Sequence, residues 1–365
     1  MKQRGFLLTL VFVLLAALPL LLILLSPERE FSPNENRYLT TAPALDGTAF
    51  LDSSLQPQLE RWLEDQFPGR DGWMAAVTVL NKASGRKEIG GAWLGKDAYY
   101  PEVHRPEDFD LGKYRRNLGY LQDLAAQAGV PAAALLIPST GAALPELLPE
   151  GAEVYDPAAA LAEARAILTD AAVPDLRAVL REEPEEQVYY RTDHHWTEAG
   201  MKRAYDALPA PYGAYQGQAE LFCSDFFGST WSKTLDPAAK PDEIWLYSVP
   251  ETVTAEADGE AVPIYDLAAA DRKDKYTVFL GGNHGLVTLT GGCRNGKTLL
   301  VLKDSFANCL APLLTADYET VLLVDLRYYP GSVRALLGQT NPDALLFVYE
   351  MSGLASGDDF VKLLL

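Results

Sequence analysis

Hydrophobic and polar positions along this chain fall into three regimes. The first is the run 6–25, twenty residues without a charge, preceded by Lys2 and Arg4. At helical rise such a run spans a hydrocarbon core of ~30 Å. It ends in Ser26-Pro27-Glu28-Arg29 with no Ala-x-Ala site, which predicts an uncleaved anchor over 1–26 rather than a signal peptide. Basic residues ahead of the span predict a cytoplasmic N-terminus. The expected place is therefore the cell membrane, single-pass, with everything after Ser26 extracytoplasmic; secretion is the alternative.

The second regime, 27–105, is punctuated by Pro and Asn, as in Ser32-Pro33-Asn34-Glu35-Asn36-Arg37. It predicts a strap followed by helices over 56–67 and 73–83 and a hairpin at 90–97. The third, 106–365, alternates helical spacing with short apolar runs. Helices are predicted over 113–128, 157–169 and 197–208, and strands over 132–137, 187–190, 276–280, 298–302, 320–324 and 344–348. Apolar strands of four to six residues between helices predict a parallel sheet buried on both faces. The fold class is thus α/β, a three-layer α/β/α sandwich. The stretch 209–274, rich in Pro, Gly and aromatics such as Phe222, Phe226, Phe227, Trp231 and Trp245, breaks the rhythm and reads as an insertion.

Composition narrows the function. The 365 residues carry 50 acidic and 31 basic side chains, a net charge of -19. That field repels phosphate backbones and argues against nucleic-acid binding. Three cysteines, Cys223, Cys293 and Cys309, show no metal-knuckle spacing, and their odd number argues against a disulfide scaffold.

Only four histidines exist, and two sit in Arg191-Thr192-Asp193-His194-His195-Trp196-Thr197-Glu198. Thr197 is a predicted N-cap, so the block is a strand-to-helix loop, where ligands bind in parallel α/β sheets. An imidazole acting as general base needs a carboxylate to fix its tautomer. Asp193 and His195, at i and i+2, supply that pair. An ordinary polar helix start, or a metal site, would use the same residue types. Adjacent side chains in a tight loop seldom converge on one ion, however, so no metal is assigned. A nucleophile follows in 298–308, where an apolar strand runs into Lys303-Asp304-Ser305 and a helix-like segment. A serine there resembles a nucleophile elbow, with backbone N–H groups available to an oxyanion; the competing reading is a simple helix cap. Asn283, in a Gly-Gly-Asn turn, is a candidate oxyanion donor and Arg327 a candidate oxygen-binding cation. His284 reads as a turn residue and His104 as solvated.

Asp193-His194-His195-Trp196 resembles the signature of the DHHW family, and Asp304-Ser305-Phe306 after a strand is similar to the serine block of the SGNH hydrolases. Together they resemble the SGNH-like proteins of bacterial exopolysaccharide O-acetylation, including the alginate group. Asn34-Glu35-Asn36-Arg37, Phe227-Gly228-Ser229-Thr230-Trp231 and Gly281-Gly282-Asn283-His284 look like further family blocks. The resemblance implies Ser305 as nucleophile, His195 as base and Asp193 as its orienter, with Asn283, Arg327, His194 and Trp196 around the substrate. Here the Ser follows the His and Lys303 stands where a glycine is usual, the order of the alginate group. The implied function is an extracytoplasmic O-acyl, specifically acetyl, transferase or esterase on a cell-surface or exported polysaccharide. No cofactor is expected, and a membrane-bound O-acyltransferase is the implied donor partner. The alternative is a non-catalytic polysaccharide-binding or secretion-complex scaffold of the envelope.

Overall fold

The computed structural model describes residues 2–43, 54–182 and 185–365; the part of the predicted strap at 44–53 lies outside them. The chain divides into two compact units, one of Met1–Arg86 with Ser232–Pro237, the other of Lys87–Trp231 with Ala238–Leu365. Helices of eight residues or more are numbered below.

In the first unit, Lys2–Leu25 is one helix, α1, with Pro19 inside it. Among the residues whose side chains are described, no helix is long and apolar enough to cross a membrane. The run is a helix, as its length predicts, and the membrane crossing stays an expectation from the sequence that this helix does not support. Strands β1 (Phe31–Ser32) and β2 (Arg37–Tyr38) pair antiparallel around the Asn34–Arg37 block, and helices α2 (Leu55–Asp65) and α3 (Arg70–Ala83) follow. The block is a clamp. Arg70 forks onto Glu35 at 2.8 and 3.0 Å, and Arg37 joins Glu35 to Asp65. Glu35 and Asp65 are largely withdrawn from water, so these ion pairs are screened less than surface ones.

The second unit opens with a tight hairpin, β3 (Glu88–Ile89) and β4 (Ala92–Trp93). Gly90 and Gly91 both have positive φ, the backbone a two-residue hairpin turn requires. Then come α4 (Leu111–Ala128), β5 (Ala132–Ile137), α5 (Pro157–Ile167), β6 (Ala171–Ala172), α6 (Glu198–Asp206), β7 (Ala219–Phe226), β8 (Asp242–Tyr247), β9 (Thr254–Ala257), β10 (Glu260–Val262), β11 (Leu286–Thr290), β12 (Thr298–Lys303), β13 (Thr320–Val324), α7 (Val333–Thr340) and β14 (Ala344–Glu350). Eight strands form one sheet in the order β10-β9-β11-β13-β12-β14-β5-β6. The run from β13 to β6 is parallel; β11, β9 and β10 join antiparallel. The sheet is therefore mixed, not wholly parallel as expected. Strands β9 and β11 alternate buried and more exposed side chains, the pattern of a one-sided antiparallel edge. Two of them come from within 209–274, so part of that stretch builds the sheet.

Central strands bury both faces. Leu299 and Val301 of β12 enter one apolar cluster, which takes Met201, Ala204 and Tyr205 of α6. Leu300 and Leu302 enter the other, with Leu118 and Leu121 of α4, Leu161 of α5 and Val333 of α7. Alternation along a strand makes one apolar run serve two layers. At least 0.74 packing density is typical of such interiors, roughly that of organic crystals, and it holds the strand ends rigid where the site lies.

Two predicted strands are not strands. Residues 187–190 contribute one isolated bridge, Tyr189 to Trp196, because the chain doubles back within six residues. Residues 276–280 lie largely in a 3₁₀ turn, Lys275–Val278. Leu280, Gly281 and Gly282 all have positive φ, which turns the chain away from an extended course. After β12 the helix-like segment is also shorter than expected, one 3₁₀ turn at Ser305–Ala307 followed separately by Ala311–Leu314. Pro312 has no N–H to carry a continuous helix through this point.

Candidate active site

The site forms where β12 and β14 end. Asp304 leaves β12 and its carboxylate accepts from Phe306 N at 3.0 Å and Glu350 N at 2.7 Å. One oxygen caps the Ser305 turn while the other ties it to β14. Ser305 is thereby presented at the strand's carboxyl end.

The imidazole comes from 110 residues earlier. His195 Nε2 lies 2.8 Å from Ser305 Oγ, and His195 Nδ1 lies 2.6 Å from Asp193 Oδ1. Asp193 also accepts from the His195 N–H at 3.0 Å and, through Oδ2, from the Ser229 N–H at 2.7 Å. Gly228 makes that approach possible. A Cβ there would stand 2.3 Å from Asp193 Cβ, nearer than real atoms allow. The loop carrying Asp193 is pinned by Asp242, the first residue of β8. Asp242 accepts from Arg191 N, Thr192 N and Thr192 Oγ1 at 3.0, 2.9 and 2.6 Å. Thr197 caps α6 by accepting from Gly200 N, as expected from the sequence.

Tyr276 stacks on the His195 ring, centroids 3.9 Å apart and planes 10° from parallel, and donates from its hydroxyl to Ser305 O at 3.2 Å. With Phe306 on another side at 4.8 Å, the imidazole has little rotational freedom. Burial first, then the charge of neighbouring His194, pushes His195 down to about 4. For Asp193 burial acts upward, but His194, His195 and the Ser229 N–H outweigh it and hold the carboxyl well below its ordinary range. At neutral pH the pair is carboxylate and neutral imidazole, with Nε2 able to take a proton. Asp304 is pushed up to about 6, by burial first and by nearby Glu350.

A pocket of about 270 Å³ adjoins Ser305, lined by His194, Arg327, Tyr349, Glu350 and Phe360 among others. Its walls are apolar and charged in turn, as ligand pockets are. Arg327 thus shares the pocket with Ser305, held by a two-point fork onto Asp325 at 2.9 and 2.6 Å. His194 also faces it, its Nδ1 2.8 Å from Ser229 Oγ. Asn283 does not line it. Its Oδ1 accepts from Asn308 Nδ2 at 3.1 Å, and Asn308 in turn accepts from buried Lys303 Nζ at 2.7 Å. Lys303, in place of a glycine, thereby connects the Gly-Gly-Asn turn to the Ser305 turn.

Trp196 corrects the sequence expectation. It is fully buried and donates from Nε1 to Phe306 O at 3.1 Å, so it braces the Ser305 turn from beneath instead of meeting substrate. His104 is not solvated either; it is half-buried, 3.5 Å from Glu102 and 3.7 Å from Glu350. His284 bonds Leu280 O within its own turn. Asp193, His194 and His195 place ligand atoms within 4.8 Å of one another, closer than adjacent residues in a loop were expected to come. Both ring nitrogens of His195 are already engaged, though, so a metal would have to displace Asp193 or Ser305.

Tyr276 and Asp242 carry no signal in the sequence, whereas Asp304 is named there in the serine block and as a possible cap, and it does cap the Ser305 turn. Gly228-Ser229 also carries a signal, as part of the Phe227–Trp231 block.

The model of the DHHW protein family matches residues 172–324, which contain Asp193, His195 and Ser305. The model described as SGNH hydrolase-like domain, acetyltransferase AlgX, matches residues 92–234 and ends before the serine. No curated protein sequence matches. Among solved structures, a DHHW family protein from Eubacterium siraeum superposes with a TM-score of 0.62 at 21% identity, over 76% of this chain and 95% of that one. Bacillus cereus PatB1 with a sulfonyl adduct superposes at 0.60 and 21% identity, over 73% and 96%. These likenesses concern the fold. In sequence the chain is similar to the DHHW proteins over 172–324 and to the SGNH hydrolase-like acetyltransferase domain over 92–234, and in architecture it is similar to a DHHW family protein over about three quarters of its length.

Proposed function

We propose that this protein is an extracytoplasmic O-acyltransferase that places an acyl group, acetyl by its likenesses, on an exported or cell-surface polysaccharide. The observation that carries this reading is the unbroken line Asp193–His195–Ser305, at 2.6 and 2.8 Å, beside a 270 Å³ pocket. His195 Nε2 takes the Ser305 proton as Oγ bonds to the donor's carbonyl carbon, and the imidazolium returns that proton to the departing donor oxygen. A sugar hydroxyl then gives its proton to His195 and attacks the acyl-serine; the bond from the carbonyl carbon to Oγ breaks, and the imidazolium returns the proton to Ser305 Oγ. The Ser305 N–H would hold the oxyanion, and Arg327 would meet an acyl or sugar oxygen, while Asn283 would support the Ser305 turn through Asn308. The ring pair Phe227 and Trp231, with centroids 4.8 Å apart and Lys273 over the indole, would limit water. No cofactor enters these steps. The run 6–25 would anchor the chain beside a membrane-bound O-acyltransferase that brings the donor across.

The deciding measurement supplies an activated acetyl ester with and without glycan oligomers. Acetylated oligomer forming at the expense of free acetate is the expected result. Fast acetate release untouched by glycan would replace the transferase with an esterase.

The depressed His195 basicity sets the pH dependence. The reaction needs neutral imidazole, and a group whose folded pKa is lowered stays neutral to lower pH. Transfer rates should therefore hold through pH 6 and fall with an apparent pKa of about 4, not near the ordinary ~6.5. A limb near 6 would point to Asp304 instead.

A further inference from the structure

A second cavity, of about 580 Å³, shares no lining residue with the pocket at Ser305. Its size falls within the roughly 300–1,000 Å³ of small-ligand sites. One wall is a single face of β8. Side chains alternate along a strand, so Glu243, Trp245 and Tyr247 project together while Asp242 and Ile244 are buried behind them. Trp245 is 39% exposed, a large aromatic surface left open to water. Its Nε1 donates to Glu243 Oε2 at 3.1 Å, which sets the ring plane. On the paired strand β7, small Ala219 stands opposite Tyr247 and Leu221 opposite Trp245. Glu186, Gln187 and Arg191 also line the cavity.

A flat, exposed indole beside carboxylates, an amide and a guanidinium matches a pyranose ring, which has an apolar C–H face and an edge of hydroxyls. Aromatic rings with a polar rim suit such two-sided ligands. Charge selects among sugars. Glu186 is ion-paired with Arg203, as Arg191 is with Asp242 at 3.7 Å, so the lining adds the carboxylate of Glu243 to a chain of net charge -19. An anionic polymer would be repelled.

We infer that this cleft is a second subsite that holds a neutral glycan segment by stacking on Trp245, with Glu186, Glu243 and Arg191 bonding its hydroxyls. The choice of a sugar chain as occupant rests on the glycan acceptor proposed above. The placement is useful for transfer, since Arg191 and Thr197 line the cleft and bracket the loop bearing Asp193 and His195. A chain held there is held against the loop that carries the base.

Calorimetric titration of the full-length chain carrying Ser305→Ala, which prevents turnover, tests this. The ligands are cellohexaose, N-acetylchitohexaose and, as the anionic control, an oligogalacturonate. At least one neutral oligomer should bind, and adding Trp245→Ala should weaken it by roughly tenfold or more with an unchanged melting temperature. The oligogalacturonate should bind more weakly than that oligomer. Binding that survives Trp245→Ala but is lost with Arg327→Ala would overturn the cleft while leaving the glycan acceptor standing. Stronger binding of the anionic oligomer, or no binding of either neutral one, would also overturn it. The acetyl-transfer assay then judges the acceptor independently.

Discussion

Ser305→Ala should lower acyl transfer by about 10⁴-fold or more while leaving the fold intact, because it removes the one atom that forms the covalent bond. The substitution deletes a hydroxyl that meets His195 and disturbs neither the Asp304 cap nor the Trp196 brace, both of which act on backbone atoms. Burst kinetics with a chromogenic acetyl ester provide the readout. Mass spectrometry after treatment with a sulfonyl electrophile provides a second, since the parent chain should gain one adduct at Ser305 and the variant none. Turnover within tenfold of the parent would remove Ser305 from the mechanism.

Asp193→Asn should cost about 10³–10⁴ in the rate constant, an effect transmitted entirely through the imidazole. In the parent, Asp193 Oδ1 accepts from the Nδ1–H of His195, which leaves Nε2 as a lone pair facing Ser305. An asparagine amide turned to donate to Nδ1 would place the proton on Nε2, and the serine proton would then have no acceptor. Losing the anion also removes what would stabilise the imidazolium after proton transfer. The Asn side chain is nearly the same size, and its oxygen can still accept from the Ser229 N–H. A large fall in rate with little change in melting temperature is thus expected. A loss below tenfold would mean that Asp193 organises the loop but does not orient the base.

Much of this was legible because it depends on neighbours in sequence. The 299–302 and 344–348 runs are apolar throughout, the pattern of a strand buried on both faces. Thr197 before Glu198 is a cap wherever it occurs. Asp193 and His195, two residues apart, can meet inside one loop without help from elsewhere. The strands at 254–257 and 260–262 were hidden because they are half-exposed and carry Glu256 and Glu260, so they lack an apolar run. The false strand at 276–280 has the opposite cause. Its residues are apolar because Tyr276, Val278 and Phe279 pack in the core, and burial alone does not choose between a strand and a 3₁₀ turn.

By itself, then, the sequence determined the layered α/β class, the position of the caps and turns, and which residue types stood ready for acyl chemistry. Each of these follows from hydrophobic periodicity or from contacts within a few residues. Only the tertiary structure decided that Trp196 lies beneath the site instead of in it, and that Tyr276, Asp242 and Gly228 hold the imidazole and its carboxylate in line. Those outcomes depend on the order in which strands assemble, which brings together residues 29 to 110 positions apart, and no local pattern records such pairings.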